Sequence, residues 1–130
     1  MQKINIGLIG FGTVGTGVVK VLKENGKVIQ ERLGAEIVLK KIADKDITRD
    51  RGVEIDKSIL TPDANDILSD PSINIVIELV GGIEPAKTFI LKALNNKKHV
   101  VTANKALLSQ HGEEIFKTAA KNNVDIGFEA

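Results

Sequence analysis

The chain has 130 residues, 42% of them hydrophobic and 27% charged, a size at which one domain can bury a core without staples. A net charge of +1 supplies no global field for nucleic acid or an anionic membrane, and four Phe with no Trp or Tyr leave little material for stacking single-stranded bases. The absence of cysteine excludes disulfides and thiolate metal sites and fits a reducing, cytoplasmic setting, while no stretch approaches the ~18 apolar residues of a membrane span and the N-terminal "MQKINIGLIGFG" has no signal-peptide pattern.

Lys3–Gly10 reads as a strand in which Ile4, Ile6, Leu8 and Ile9 crowd together, as in a parallel strand buried on both faces. A helix starts near Thr13, with Val14, Val18, Val21 and Leu22 as its buried stripe. Val28, Ile29 and Leu33 carry that phase onward, so the helix is expected to reach about Arg32, with a weak point at Gly26 and a stop at Gly34. Ala35–Ala43 is a second strand ending at Asp44, and residues 45–62 are charged and irregular. A short helix opens at Thr61-Pro62-Asp63 and runs to Leu68, and Asp70-Pro71 closes it. Ile73–Val80 is the next strand, followed at once by Gly81-Gly82. Pro85 then opens a helix that turns Ala86, Phe89, Ile90, Ala93 and Leu94 to one side. His99–Thr102 is a strand and Lys105–Leu108 a helical turn. Gly112–Asn122 is a helix with Ile115, Phe116, Ala119 and Ala120 inward, and Val124–Phe128 is a last strand. Strands alternate with helices throughout, with no repeat, low-complexity segment or linker. The pattern predicts an α/β fold, a doubly wound parallel sheet of the Rossmann type in three α/β/α layers, as one domain over 1–130.

Gly10, Gly12 and Gly15 in "GFGTVG" match G-x-G-x-x-G between the first strand and the first helix, the setting in which this otherwise weak pattern gains meaning. Gly10 permits the tight turn, Gly12 leaves room for a pyrophosphate against the backbone, and Gly15 lets the helix lie close to the strand. The N–H groups at the helix start would then hold the phosphates. Gly17 is a further small residue on this helix, open to a close-packing role. A strand–helix turn without a ligand is the competing reading. Asp44, at the end of the second strand, stands where an acid would hold the adenosine ribose, although farther along than the usual ~20 residues. Between residues 40 and 57 lie Lys40, Lys41, Lys45, Arg49, Arg51 and Lys57, against Asp44, Asp46, Asp50, Glu54 and Asp56. One of these cations could meet a 2′-phosphate, or the segment is a solvated loop. NAD and NADP both remain open.

Ligands of doubly wound sheets sit outside the carboxyl ends of the strands. There, "ELVGG" places Gly81 and Gly82 where a cofactor could approach the backbone, unless this is a plain turn. Glu78 is a carboxylate inside an apolar strand and must find hydrogen bonds, which marks it as a local anchor before any chemical role. Lys105 heads a helical turn, where a cation opposes the helix dipole. A lysine directed into the cleft could polarise a carbonyl or touch the cofactor; a solvated lysine is the alternative. His99 and His111 read as surface or structural residues, and no triad or metal-ligand spacing is evident.

"GLIGFGTVGTGVV", "ADKDITRDRG", "ELVGG", "VVTANKALLSQHGEE" and the closing "FEA" together resemble the N-terminal domain of homoserine dehydrogenase, over the whole chain and in order. The "TANKALL" and "ELVGG" pieces are far more specific than the glycine loop. The resemblance implies an NAD- or NADP-dependent oxidoreductase that interconverts aspartate 4-semialdehyde and homoserine in threonine, isoleucine and methionine biosynthesis. It implies that Phe11, Thr13 and Val14 join the three glycines around the dinucleotide and that Gly81 and Gly82 border the nicotinamide. Lys105 would stand between cofactor and substrate, and Glu129 would help bind a monovalent cation such as sodium. In this family the chain continues after "FEA" into a domain that binds homoserine and forms most of the dimer. The expectation is thus a cofactor-binding domain without its substrate and dimerisation domain, binding NAD(P) weakly and turning over negligibly. Its substrate would be a small molecule, with no nucleic acid or membrane partner, and the full-length enzyme a homo-oligomer. Two other readings are a non-catalytic dinucleotide-sensing module and the N-terminal domain of another semialdehyde dehydrogenase or reductase; a bare structural domain is the third.

Overall fold

The computed structural model of the chain describes residues 2–46 and 55–128. Six strands run parallel in the order β3-β2-β1-β4-β5-β6: β1 (Gln2–Ile9), β2 (Ala35–Ala43), β3 (Leu60–Thr61), β4 (Ile75–Glu78), β5 (His99–Thr102) and β6 (Ile126–Phe128). Helices α1 (Thr13–Leu33), α2 (Asn65–Leu68), α3 (Ala86–Asn95) and α4 (Lys105–Lys121) connect them, with a 3₁₀ turn at Lys57–Ile59 before β3. This is the doubly wound Rossmann arrangement, with its switch point between β1 and β4.

Strand alternation builds the layers. Leu8 and Ile42 pack with Phe11 and with Val19 of α1 on one face. Their neighbours Ile9 and Ala43 join Val76 and Val100 on the other, under Ile67 and Leu68 of α2, Ala86, Ile90, Ala93 and Leu94 of α3, and Leu107, Ile115 and Ala119 of α4. Two separate apolar clusters therefore sandwich the sheet, which confirms the three layers expected.

Several elements differ from expectation for physical reasons. The buried line of α1 runs through Gly15 and Val19, and Val14 and Val21 are 63% and 53% exposed. Gly15 must face the Gly10 carbonyl oxygen, which a Cβ at position 15 would overlap, and this contact rotates the helix. Gly17 faces open space and serves no packing. Gly26 does not interrupt α1. Residues 105–121 form one helix instead of two, because Asn104 caps its start and Leu107, Ile115 and Ala119 are buried along it, outweighing the ~1 kcal/mol cost of Gly112. In this phase Gly112 is buried, whereas Phe116 (52% exposed) and Ala120 point outward. β3 is only two residues long, too short for any periodicity to announce it within the charged 45–62 segment. β4 is likewise shorter than the expected Ile73–Val80, although the Leu79 N–H still donates to the Ile9 carbonyl at 2.9 Å.

Two polar devices tie the α2 side of the sheet. The β1–β2 register shifts at Ile6/Gly7, leaving Lys40 as the extra residue, and both Lys40 and Lys41 reach Asp70, at 3.4 and 3.3 Å. The Ser72 hydroxyl, then the Ser72 N–H and the two lysines, hold the Asp70 carboxyl well below the usual carboxylate range against the effect of burial. Lys98, 2% exposed, donates to the carbonyls of Asp70 and Ile73. Burial lowers its pKa, with Asp70 opposing.

Candidate functional site

The carboxyl ends of β1, β2 and β4 converge at the switch point, and the glycine loop sits over them. Gly10 has φ +100°, and a Cβ there would lie 2.9 Å from the Leu79 carbonyl carbon, so the turn admits only glycine. Gly15 is fixed by its contact with the same loop. Gly12 is different. Its φ of −85° and ψ of −154° suit any residue, and a Cβ would meet nothing within 4 Å. The fold does not require glycine at position 12, and its open side-chain position leaves the backbone there accessible.

Gly12 is also the N-cap of α1, and no side chain caps the helix or places an acid in its first turn. The N–H groups of Thr13, Val14 and Gly15 therefore have neither intrahelical carbonyls nor a capping oxygen. With the dipole of a 21-residue helix behind them, they suit an anion. Phe11 contributes otherwise: its side chain is 2% exposed in the α1 core, and its N–H donates to Asp44 Oδ2 at 2.7 Å.

Two clefts flank this loop. One of about 340 Å³ lies between the ends of β1, β2 and β4 and the start of α3, lined by Gly10, Asp44, Lys45, Pro62, Val80 and Phe89 among others. The second, about 120 Å³, is lined by Val14, Glu78, Leu79, Gly81, Ala103 and Asn104. Leu79 lines both clefts, and the glycine loop contributes Gly10 to the larger and Val14 of the following helix to the smaller. Asp44 stands in the larger cleft, but its carboxylate is already engaged with the loops: Oδ1 accepts from the Asp46 N–H at 2.9 Å while Oδ2 holds Phe11. It clamps the β1–α1 loop to the end of β2 in addition to anything it offers a ribose.

The smaller cleft has a polar wall anchored on Glu78, the hydrogen-bonded carboxylate expected from the sequence, with partners Thr102 and Asn104 that sequence reasoning missed. Glu78 is 1% exposed. Its Oε2 accepts from the N–H groups of Val80 (2.7 Å) and Gly81 (3.3 Å), and its Oε1 accepts from the Thr102 hydroxyl at 2.7 Å. The Thr102 oxygen accepts from the Asn104 N–H at 3.1 Å. Asn104 Oδ1 then accepts from the Leu107 N–H, capping α4, and its amide nitrogen donates to the Gly82 carbonyl at 2.5 Å. An Asn directly before a helix was the available signal for the cap; nothing local to either strand pairs Glu78 with Thr102. Gly81 and Gly82 sit at φ +81° and +72°, with open space beside each. Lys105, the first residue of α4, is exposed and adjacent to this wall, with no hydrogen bond or ion pair at its ammonium among the described residues. At the start of α3, the Thr88 N–H and hydroxyl hold the Glu84 carboxyl below its ordinary value, and Lys87 and His111 add to this. Glu129, Arg49 and Arg51 lie outside the described residues. His99 is exposed, its Nδ1 accepting from the Asp125 N–H at 3.0 Å, and His111 is half-buried on α4. Among the described residues no cluster of acids and histidines could hold a metal, and no helix is long and apolar enough to cross a membrane.

Comparison with known proteins gives these clefts their context. Residues 10–129 match the family described as homoserine dehydrogenase, NAD binding domain. The chain is 42% identical to homoserine dehydrogenase of Bacillus subtilis (strain 168) over its full 130 residues, and it spans about 30% of that relative's length. A crystal structure of Staphylococcus aureus homoserine dehydrogenase superposes on 100% of the chain and 33% of its own, with a TM-score of 0.93 at 47% identity. One from Thiobacillus denitrificans covers 99% and 30%, with a TM-score of 0.92 at 41%. The chain belongs to the homoserine dehydrogenase family, as its NAD-binding domain.

Proposed function

We propose that the chain is the cofactor half of an enzyme that interconverts aspartate 4-semialdehyde and homoserine with NAD(P)H in the cytoplasm. The N–H groups of Thr13, Val14 and Gly15 hold the pyrophosphate beside Gly12, the adenosine lies in the larger cleft by Asp44 and Lys45, and the nicotinamide end lies by Val14, Gly81 and Gly82. The observation that carries this reading is Gly12, whose side-chain position is open and whose backbone geometry does not call for glycine. The nicotinamide, when bound, supplies the hydride. Lys105, which follows Asn104 of the smaller cleft at the start of α4, polarises the aldehyde oxygen and stabilises the developing alkoxide. Homoserine binding, oligomerisation and any monovalent-cation site involving Glu129 fall to a further domain of the kind that the longer relatives have room for.

Calorimetric titration of the 130-residue protein with NADPH and, in parallel, NADH tests this reading. Binding to either is expected, and the tighter ligand identifies the cofactor. Lys105→Ala should weaken that affinity by more than about twofold, whereas unchanged affinity would favour a non-catalytic sensing module, and the same substitution in a full-length enzyme should lower kcat by about 10²-fold or more. Absence of binding to both ligands would overturn the assignment.

A further inference from the structure

Glu78 is a buried carboxylate with no ion pair among the described residues, and it lies between the two loops that form the smaller cleft. Its three hydrogen bonds satisfy an acceptor-only group and consume donors on both sides: backbone N–H groups of the β4–α3 loop at Val80 and Gly81, and the hydroxyl of Thr102 on β5. Through Thr102 the connection reaches the Asn104 N–H, and through the Asn104 side chain it reaches both the first turn of α4 and, returning, the Gly82 carbonyl. The result is a closed ring of hydrogen bonds from β4 to β5, to the start of α4 and back to Gly82. Gly81 and Gly82 have positive φ and no neighbour within 4 Å of a built Cβ. Without this ring, side-chain packing would leave the 81–82 segment unfixed.

We infer that Glu78, acting with Thr102 and Asn104, is a positioning residue that fixes the Val80–Gly82 backbone against the start of α4 and so sets the distance between the nicotinamide position and Lys105. The inference rests on the dinucleotide reading above. Its chemistry is cross-bracing by a carboxylate that accepts from two loop N–H groups and from a hydroxyl on the neighbouring strand, in a site where a group held loosely by an ångström loses most of its effect.

The test uses two ligands that share the adenosine half: NADPH, with its nicotinamide fluorescence followed on binding, and adenosine 2′,5′-bisphosphate, which cannot reach the smaller cleft. Thr102→Val keeps the shape of the side chain and cuts the ring. It should weaken NADPH about five- to tenfold, because the Glu78 oxygen and the Asn104 N–H both lose their partner, and should reduce the fluorescence change of the bound nicotinamide. Affinity for adenosine 2′,5′-bisphosphate should stay within about twofold, which also reports an intact fold. Glu78→Gln should rescue most NADPH binding, since its amide oxygen can accept from Val80 and Gly81 while its nitrogen donates to Thr102; Glu78→Leu should not. Unchanged NADPH binding in Thr102→Val, or equal losses for both ligands, would overturn the inference. A parent protein that binds neither NADPH nor NADH would instead remove the dinucleotide reading itself.

Discussion

The contrast between Gly12 and Gly15 separates a glycine kept for a ligand from one kept for the fold. At Gly15 a methyl group would overlap the Gly10 carbonyl oxygen, inside the 3.0 Å that real Cβ atoms essentially never cross, and backbone cannot swing away as a flexible side chain can. Overpacking of this kind costs about 1–3 kcal/mol. At roughly 3–6 °C per kcal/mol for a chain of this size, Gly15→Ala should lower Tm by roughly 5–15 °C. At Gly12 a new side chain enters open space from an extended backbone. The few tenths of a kcal/mol lost at the cap are offset by the reduced freedom of the unfolded chain, and Gly12→Val should move Tm by no more than about 3 °C. That side chain would stand where the pyrophosphate meets the N–H groups of Thr13–Gly15. Losing one charge-assisted bond costs about 1.5–3 kcal/mol, or roughly 10- to 150-fold in affinity. Thermal unfolding of both variants, with calorimetric titration of Gly12→Val against NADPH, decides the matter. If Gly12→Val binds NADPH like the parent, or unfolds as readily as Gly15→Ala, then the loop is only a turn.

Asp70→Asn removes the anchor of Lys40, Lys41 and Ser72 and should cost about 1–3 kcal/mol at pH 7 in urea unfolding. The folded Asp70 carboxyl titrates below its unfolded value near 3.9, so its stabilisation is present above that pH and is lost as pH falls below it. The parent should therefore lose more stability between pH 7 and pH 3 than the variant, and parallel pH profiles would refute this. Asp44→Ala removes the carboxylate that accepts from the Phe11 and Asp46 N–H groups, and should reduce stability by about 1–2 kcal/mol and weaken adenosine 2′,5′-bisphosphate as well as NADPH; a loss confined to ligand binding would assign Asp44 wholly to the ribose. Ile90→Ala, at a fully buried position between α3 and the sheet, should cost about 2–5 kcal/mol by chemical denaturation.

Much of the sheet was legible because parallel strands buried on both faces leave unbroken apolar runs, as in β1, and because the glycines at 10, 12 and 15 are local punctuation. The contacts that organise the site were not. Asp44 finds Phe11 33 residues away and Glu78 finds Thr102 24 residues away, and no periodicity carries information across such separations. The phase of α1 failed for a related reason. Val14, Val18, Val21 and Leu22 suggest a stripe, but the close approach of Gly15 to Gly10 sets the rotation, and a residue without a side chain adds nothing to a hydrophobic pattern. Gly112 misled in the opposite sense: a helix breaker by propensity was read as a boundary, when burial of Leu107 and Ile115 on either side carries the helix through it.

Lys98 gives the molecule an internal gauge. Its ammonium is bound to two carbonyls beneath the sheet, while the other lysines of the described residues are reachable from solvent. An amine-acylating reagent can reach Lys98 only when the β4–β5 end opens, so its labelling rate, divided by that of an exposed lysine, counts openings as slow amide exchange does. A ligand that binds only the closed form must slow that clock in proportion to its saturation. Mass spectrometry of one peptide would thus report dinucleotide binding at the opposite end of the strands, with no chromophore and no catalytic turnover.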